Sequence, residues 1–105
     1  MDEILAVLRN IGLPFAYSHF AEGEAPAVPY ILYLLLGSNN FAADGKVYHH
    51  ISEVHIELYT DKKDLTAEAR VEAALDNADI FYDKTEVWIQ SEKLYELLYS
   101  FDMEV

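Results

Sequence analysis

Three of the four histidines of this 105-residue chain, His49, His50 and His55, fall in the segment VYHHISEVHIELYTDKKD (47–64), interleaved with glutamates and aspartates. Imidazole nitrogens and carboxylate oxygens are acceptable zinc or manganese ligands, so the chemistry this stretch offers is metal-dependent catalysis. On an extended strand His49, Glu53, His55 and Glu57 share one face. Positions 49 and 55 then lie roughly 20 Å apart, too far to share an ion, and His50 points the other way. A solvated strand face is the better reading, and no metal or other cofactor is expected. The remaining constellations are weaker. Ser18 and His19 are sequence neighbours, which on a strand face opposite sides and cannot form a nucleophile–base pair. Carboxylate pairs drawn from so acidic a chain arise by chance. GSNN and ADG are turn chemistry rather than a phosphate cradle. With no cysteine there is no thiol catalysis, zinc-thiolate site or disulfide. No catalytic residue is assigned, and the chain is not expected to be an enzyme.

The elements that must position these side chains are legible from periodicity. DEILAVLRNI (2–11) places Ile4, Leu8 and Ile11 at helical spacing behind an acidic first turn, and Gly12 then Pro14 end it. FAYSHF (15–20) is a candidate strand, followed by a proline-bearing loop. VPYILYLLLG (28–37) has so few polar positions that a strand buried on both faces is expected, central to the sheet or to a subunit contact. SNNFAADGK forms the long turn of a hairpin. Over 47–59, Val54, Ile56 and Leu58 face one way and Glu53, His55, Glu57 and Tyr59 the other, the pattern of a half-buried strand.

The period then changes. From 61 to 79, Ala67, Val71, Ala74, Leu75 and Ala78 share a helical face, with Glu68, Arg70 and Glu72 largely off it; Asp61 or Asp64 can cap the start. IFYDKTEVWIQ returns to β character. The last strand sets Tyr95, Leu97, Tyr99, Phe101, Met103 and Val105 against a wetter face of Glu96, Leu98, Ser100, Asp102 and Glu104. A helical turn or two over 92–98, on Glu92, Leu94, Leu97 and Leu98, is a competing reading. The order α-β-β-β-α-β-β predicts a single α+β domain over residues 1–105, a mainly antiparallel sheet with two helices packed on it.

Composition limits what such a domain can bind. Nineteen acidic residues against seven basic ones give a formal charge of −12, which repels phosphate and anionic lipid. Lys62 and Lys63, the one adjacent basic pair, are flanked by Asp61 and Asp64. Sequence-specific nucleic-acid binding and membrane association are therefore not expected. The longest apolar run, YILYLLLG, is far short of the roughly 20 residues a membrane-spanning helix needs. The first residues lack a basic start, so a protein that is not exported is expected.

The eight tyrosines and the apolar YILYLLL exceed what a core this small readily covers, which points to self-association. The candidate contact residues are Tyr30, Tyr33, Asn39, Asn40, Phe41, Asp44, Tyr95 and Tyr99.

The ordered set Pro29-Tyr30, SNNFAADGKVY, ELYTDKKD with the acidic helix after it, and Ser91-Glu92 before a tyrosine-rich final strand resembles small prophage-encoded tail-component proteins of Gram-positive bacteria. The resemblance covers roughly residues 13–105. It implies a virion structural subunit similar to tail-completion, tail-terminator or head–tail joining proteins: an α+β subunit that assembles as a ring, commonly hexameric, between the tail tube protein and the head connector proteins. Its location would be the virion, after assembly from the host cytoplasm. A ring that DNA must pass should not grip it. Glu53, Glu57, Asp61 and Asp64, or the acidic helix, are accordingly the candidate lumen-facing residues. The hairpin tip SNNFAADG would meet a neighbouring ring. Two further classes are kept: an acidic mimic of DNA that blocks a nucleic-acid-binding protein, and, behind it, a small metal-dependent enzyme.

Overall fold

The computed structural model describes residues 2–38, 41–43, 46–49 and 51–104. The chain runs α1 (Asp2–Ile11), β1 (Phe15–Tyr17), β2 (Tyr30–Ser38), β3 (Phe41–Ala43), β4 (Lys46–His49), β5 (Ile51–Thr60), α2 (Leu65–Asn77), β6 (Asp83–Ile89) and β7 (Leu94–Glu104). Five strands form the main sheet in the order β1-β2-β5-β7-β6, and β3 and β4 pair as a separate two-stranded ribbon. Apart from the short parallel β1–β2 pair, every pairing is antiparallel. This is the expected α+β architecture. The single strand expected over 47–59 is divided, with β4 ending at His49 and β5 beginning at Ile51, so His49 and His55 belong to different sheets.

Strand parity decides which side of the sheet is buried. Val54, Ile56 and Leu58 of β5 and Leu97, Tyr99 and Phe101 of β7 join Ile31 and Tyr33 of β2 in one core with Ile4, Val7, Leu8 and Ile11 of α1 and Ala67, Val71, Ala74 and Leu75 of α2. Both helices lie on this face. The opposite face contributes nothing to the cluster: Leu32, Leu34 and Leu98 are half-buried and Leu36 is exposed. The expectation that β2 is buried on both faces is therefore corrected. It reads as uniformly apolar because alternate leucines serve two environments.

The helix ends are held by specific groups. Asp64 accepts a hydrogen bond from the Ala67 N–H at 3.0 Å and caps α2. Gly12 ends α1 in the left-handed region, φ 78°, where glycine avoids the steric cost of a Cβ. A Cβ there would also stand 2.6 Å from Arg70 Nη2. Arg70, on α2, donates from Nε to the Ile11 carbonyl (3.0 Å) and from Nη2 to the Gly12 carbonyl (3.1 Å). One guanidinium thus satisfies the end of α1 and ties the two helices together. A second glycine, Gly37 (φ 56°), sits where the β2–β5 register slips between Leu36 and Ser38, the conformation a bulge asks for.

Sheet edges are finished unequally. β1 is only three residues long, so β2 outruns it. The Tyr17 hydroxyl takes over beyond its end, accepting from the Leu35 N–H at 3.2 Å and donating to the Leu35 carbonyl at 3.4 Å. At the other edge all of β6 except Ile89 is exposed.

Candidate assembly face

The helix-free face of the sheet is built in cross-strand rows. From β2 through β5 to β7 these are Tyr30–Tyr59–Glu96, Leu32–Glu57–Leu98, Leu34–His55–Ser100 and Leu36–Glu53–Asp102. β6 adds Val87, Thr85 and Asp83 to the first three. Leucines line the β2 side and carboxylates occupy the middle, with His55 the one imidazole among them. An antiparallel pair puts such side chains about 5 Å apart, so each row behaves as one surface.

Two groups in this face have defined partners. His55 Nε2 lies 2.9 Å from Glu53 Oε2. The Tyr59 hydroxyl is 2.9 Å from Glu57 Oε1 and 2.8 Å from Glu96 Oε1. A phenol has one proton and can donate to one carboxylate at a time. With both carboxylates ionised, the second oxygen faces a lone pair. The arrangement therefore favours uptake of a proton. Burial raises the Glu57 pKa above the ordinary carboxylate range and the nearby Glu96 charge adds to it, outweighing the hydrogen bond from Tyr59 and the influence of His55. The Tyr59 phenol is pushed up too, first by burial and then by its two acidic neighbours.

The helix-covered side carries a contrasting cluster. Glu68 is 2% exposed, although helical periodicity places it off the apolar face. Its carboxylate oxygens lie 2.8 Å from Lys63 Nζ and 2.7 Å from Lys84 Nζ. These are ionic contacts by proximity; the better-aligned hydrogen bonds of the two lysines go to Glu86 (2.6 Å) and Glu72 (2.7 Å). Tyr99, fully buried, donates to Glu72 at 2.8 Å. Burial pushes the Glu68 pKa up, but the two lysines outweigh it and hold the group below its usual value. Burial likewise opposes the charge on Lys84, yet Glu68 and Glu72 raise its pKa. The network fastens the exposed strand β6 to α2.

The sequence-derived candidates separate into distinct places. Glu53 and Glu57 do share the open face. Asp61 lies in the exposed turn after β5, and Asp64 is occupied as the α2 cap. Of the contact candidates, Tyr30 stacks against Phe20 and Tyr59 on the open face, with ring centroids 5.2 and 5.4 Å apart. Tyr95 lies on the helix side against Trp88 at 4.7 Å. Tyr33 and Tyr99 leave the set, since their parity turns them into the core, where they are 7% and 0% exposed. Phe41 belongs to β3; Asn39, Asn40 and Asp44 lie outside the described residues. Among the described residues no three His, Asp or Glu side chains come together to hold a metal, and no helix is long and apolar enough to cross a membrane. Glu96 and the Lys63–Glu68–Lys84 network were not read from the sequence. Glu96 meets Tyr59 through the β5–β7 register, and Glu68 meets Lys84 only once α2 packs beside β6.

No protein-family model matches the sequence, and no curated protein is similar to it. Seven chains among solved structures match its fold. A virion protein shares this fold. The match is to a chain in the virion of a native gene transfer agent particle, with a TM-score of 0.67 over 99% of this chain and 89% of that one, at 11% sequence identity. At that identity the likeness establishes the architecture.

Proposed function

We propose that the protein is a virion structural subunit that completes the tail or joins it to the head, acting in a ring of identical copies. The observation that carries this reading is the fold it shares with a gene transfer agent virion chain over nearly the full length of both. It agrees with the ordered motifs that resemble phage tail components. The open sheet face fits the role. Its leucine side, Leu32, Leu34 and Leu36, offers apolar area to a neighbour, while Glu53 and Glu57 turn carboxylates toward a lumen that DNA crosses without being held. The acidic-mimic reading gains less from the same geometry, because leucines interrupt the carboxylates in the row Leu32–Glu57–Leu98.

The test is genetic and visual. Deleting the coding sequence from the phage or prophage that carries it should leave full heads and tails unjoined, or tails of irregular length, in negative-stain micrographs. Particles of normal form and infectivity from the deletion would overturn the proposal.

A further inference from the structure

On the helix side of the molecule, α1, α2 and the end of β7 enclose a groove of about 840 Å³. Its apolar wall is Ala6, Val7, Ala74, Ala78, Ile80 and Met103. Glu3, Asp79 and Asp102 also line it, and none of the lining residues is basic. On its lip stands Phe81, 97% exposed.

An exposed phenylalanine in a frayed loop would mean little, but both of its neighbours are fixed. The Ile80 N–H is bonded to the Leu75 carbonyl at 3.0 Å, and the Tyr82 ring packs edge-on against buried Tyr99 at 5.5 Å. The ring is therefore held outward by anchored backbone. Ordering it on binding costs little, as in an aromatic anchor of a protein contact.

Charge selects the occupant. The carboxylic side chains of Glu3 and Asp79 beside an apolar trough favour Lys or Arg flanking apolar side chains, the pattern of an amphipathic helix laid in a groove. A second copy of this chain suits it poorly. The chain has 19 acidic and only 7 basic residues, and Lys63, Lys84 and Arg70 are already engaged by carboxylates or by the end of α1. We infer that this groove, with Phe81 at its lip, docks a basic amphipathic helical segment of a different protein. The inference stands apart from the ring proposal, since the groove's apolar wall lies on the helix side of the sheet and shares with the open-face rows only Asp102, at its margin.

A fluorescein-labelled Leu/Lys model helix, titrated with the full chain at physiological salt and followed by polarisation and amide chemical shifts, tests it. Saturable binding is expected, with shifts centred on Val7, Ala74, Ala78 and Ile80. A Leu/Glu helix, and a Ser/Lys peptide of equal positive charge, should each bind at least about tenfold more weakly. Phe81→Ser, and the pair Glu3→Gln with Asp79→Asn, should also weaken binding about tenfold. Asn tolerates the left-handed backbone of residue 79, and circular dichroism checks that each variant is folded. Shifts centred on the open sheet face, equal binding of the Ser/Lys peptide, wild-type affinity in Phe81→Ser, or no saturable binding would each overturn the inference.

Discussion

The two sides of one sheet treat carboxylates in opposite ways. On the helix-covered side Glu68 is buried among Lys63 and Lys84 and is held ionised. On the open side Glu57 and Glu96 crowd a single phenol, and Glu57 is pushed toward its neutral form. The same residue type is a fastening in one place and a source of repulsion in the other. What differs is the supply of cations: the turn before α2 and strand β6 bring lysines to one face, whereas the described rows of the other carry only His55 beside their acids. A face that withholds counter-charge from its own acids contributes less to the stability of the subunit than one that pairs them.

The sharpest way to break this comparison uses two neighbours in β7. Leu97→Ala opens the core and should cost about 2–5 kcal/mol, while Leu98→Ala, facing the open side, should cost about 1 kcal/mol or less in the isolated subunit. Urea denaturation of both variants measures the gap, and equal losses would mean that the open face is a second core. Next in size is Glu68→Gln, expected to lose about 1–3 kcal/mol at neutral pH by stripping two lysines of their shared partner. Because the folded pKa of Glu68 lies below its unfolded value, this contribution is full at neutral pH. It begins to fade as the pH falls below about 4.3, and is lost as the pH passes through the folded value. Wild type and variant should therefore converge in acid. A gap that stays constant down to low pH would show that packing rather than charge holds Glu68.

The smallest effect has the opposite sign. The folded pKa of Glu57 is raised, so its ionised form carries a penalty that is full above that value and vanishes as the pH drops below about 4.3. Glu57→Gln should stabilise the protein by about 0.5 kcal/mol at neutral pH, with the gain disappearing in acid. A loss of stability at pH 7 would show that the Tyr59 hydrogen bond, not the repulsion, dominates that row.

Much of this architecture could be read in advance. Ile4, Leu8 and Ile11 announced α1, the parity of Val54, Ile56 and Leu58 fixed the buried side of β5, and Asp64 was available as a cap. These are local patterns, set by residues within a few positions of one another. What escaped reading depends on strand register or on how a helix packs against the sheet. Nothing near Glu68 in sequence foretells Lys84, sixteen residues on in strand β6, and nothing near Tyr59 foretells Glu96. The leucines of β2 misled for a related reason, since apolar alternation hides where one face meets helices and the other does not. The candidate face divided likewise: Glu53 and Glu57 keep company by strand parity, while Asp61 and Asp64 were grouped with them only by proximity along the chain.

Tyr17 gives the subunit a direction. By occupying both the N–H and the carbonyl of Leu35, its hydroxyl fills the rung that an incoming strand would need, so growth of the sheet is stopped on the β2 side without any further length of β1. On the β6 side, six consecutive residues from Asp83 to Trp88 are exposed. With one edge closed, strand addition to this sheet is confined to the β6 side, so edge-to-edge stacking cannot continue through the subunit.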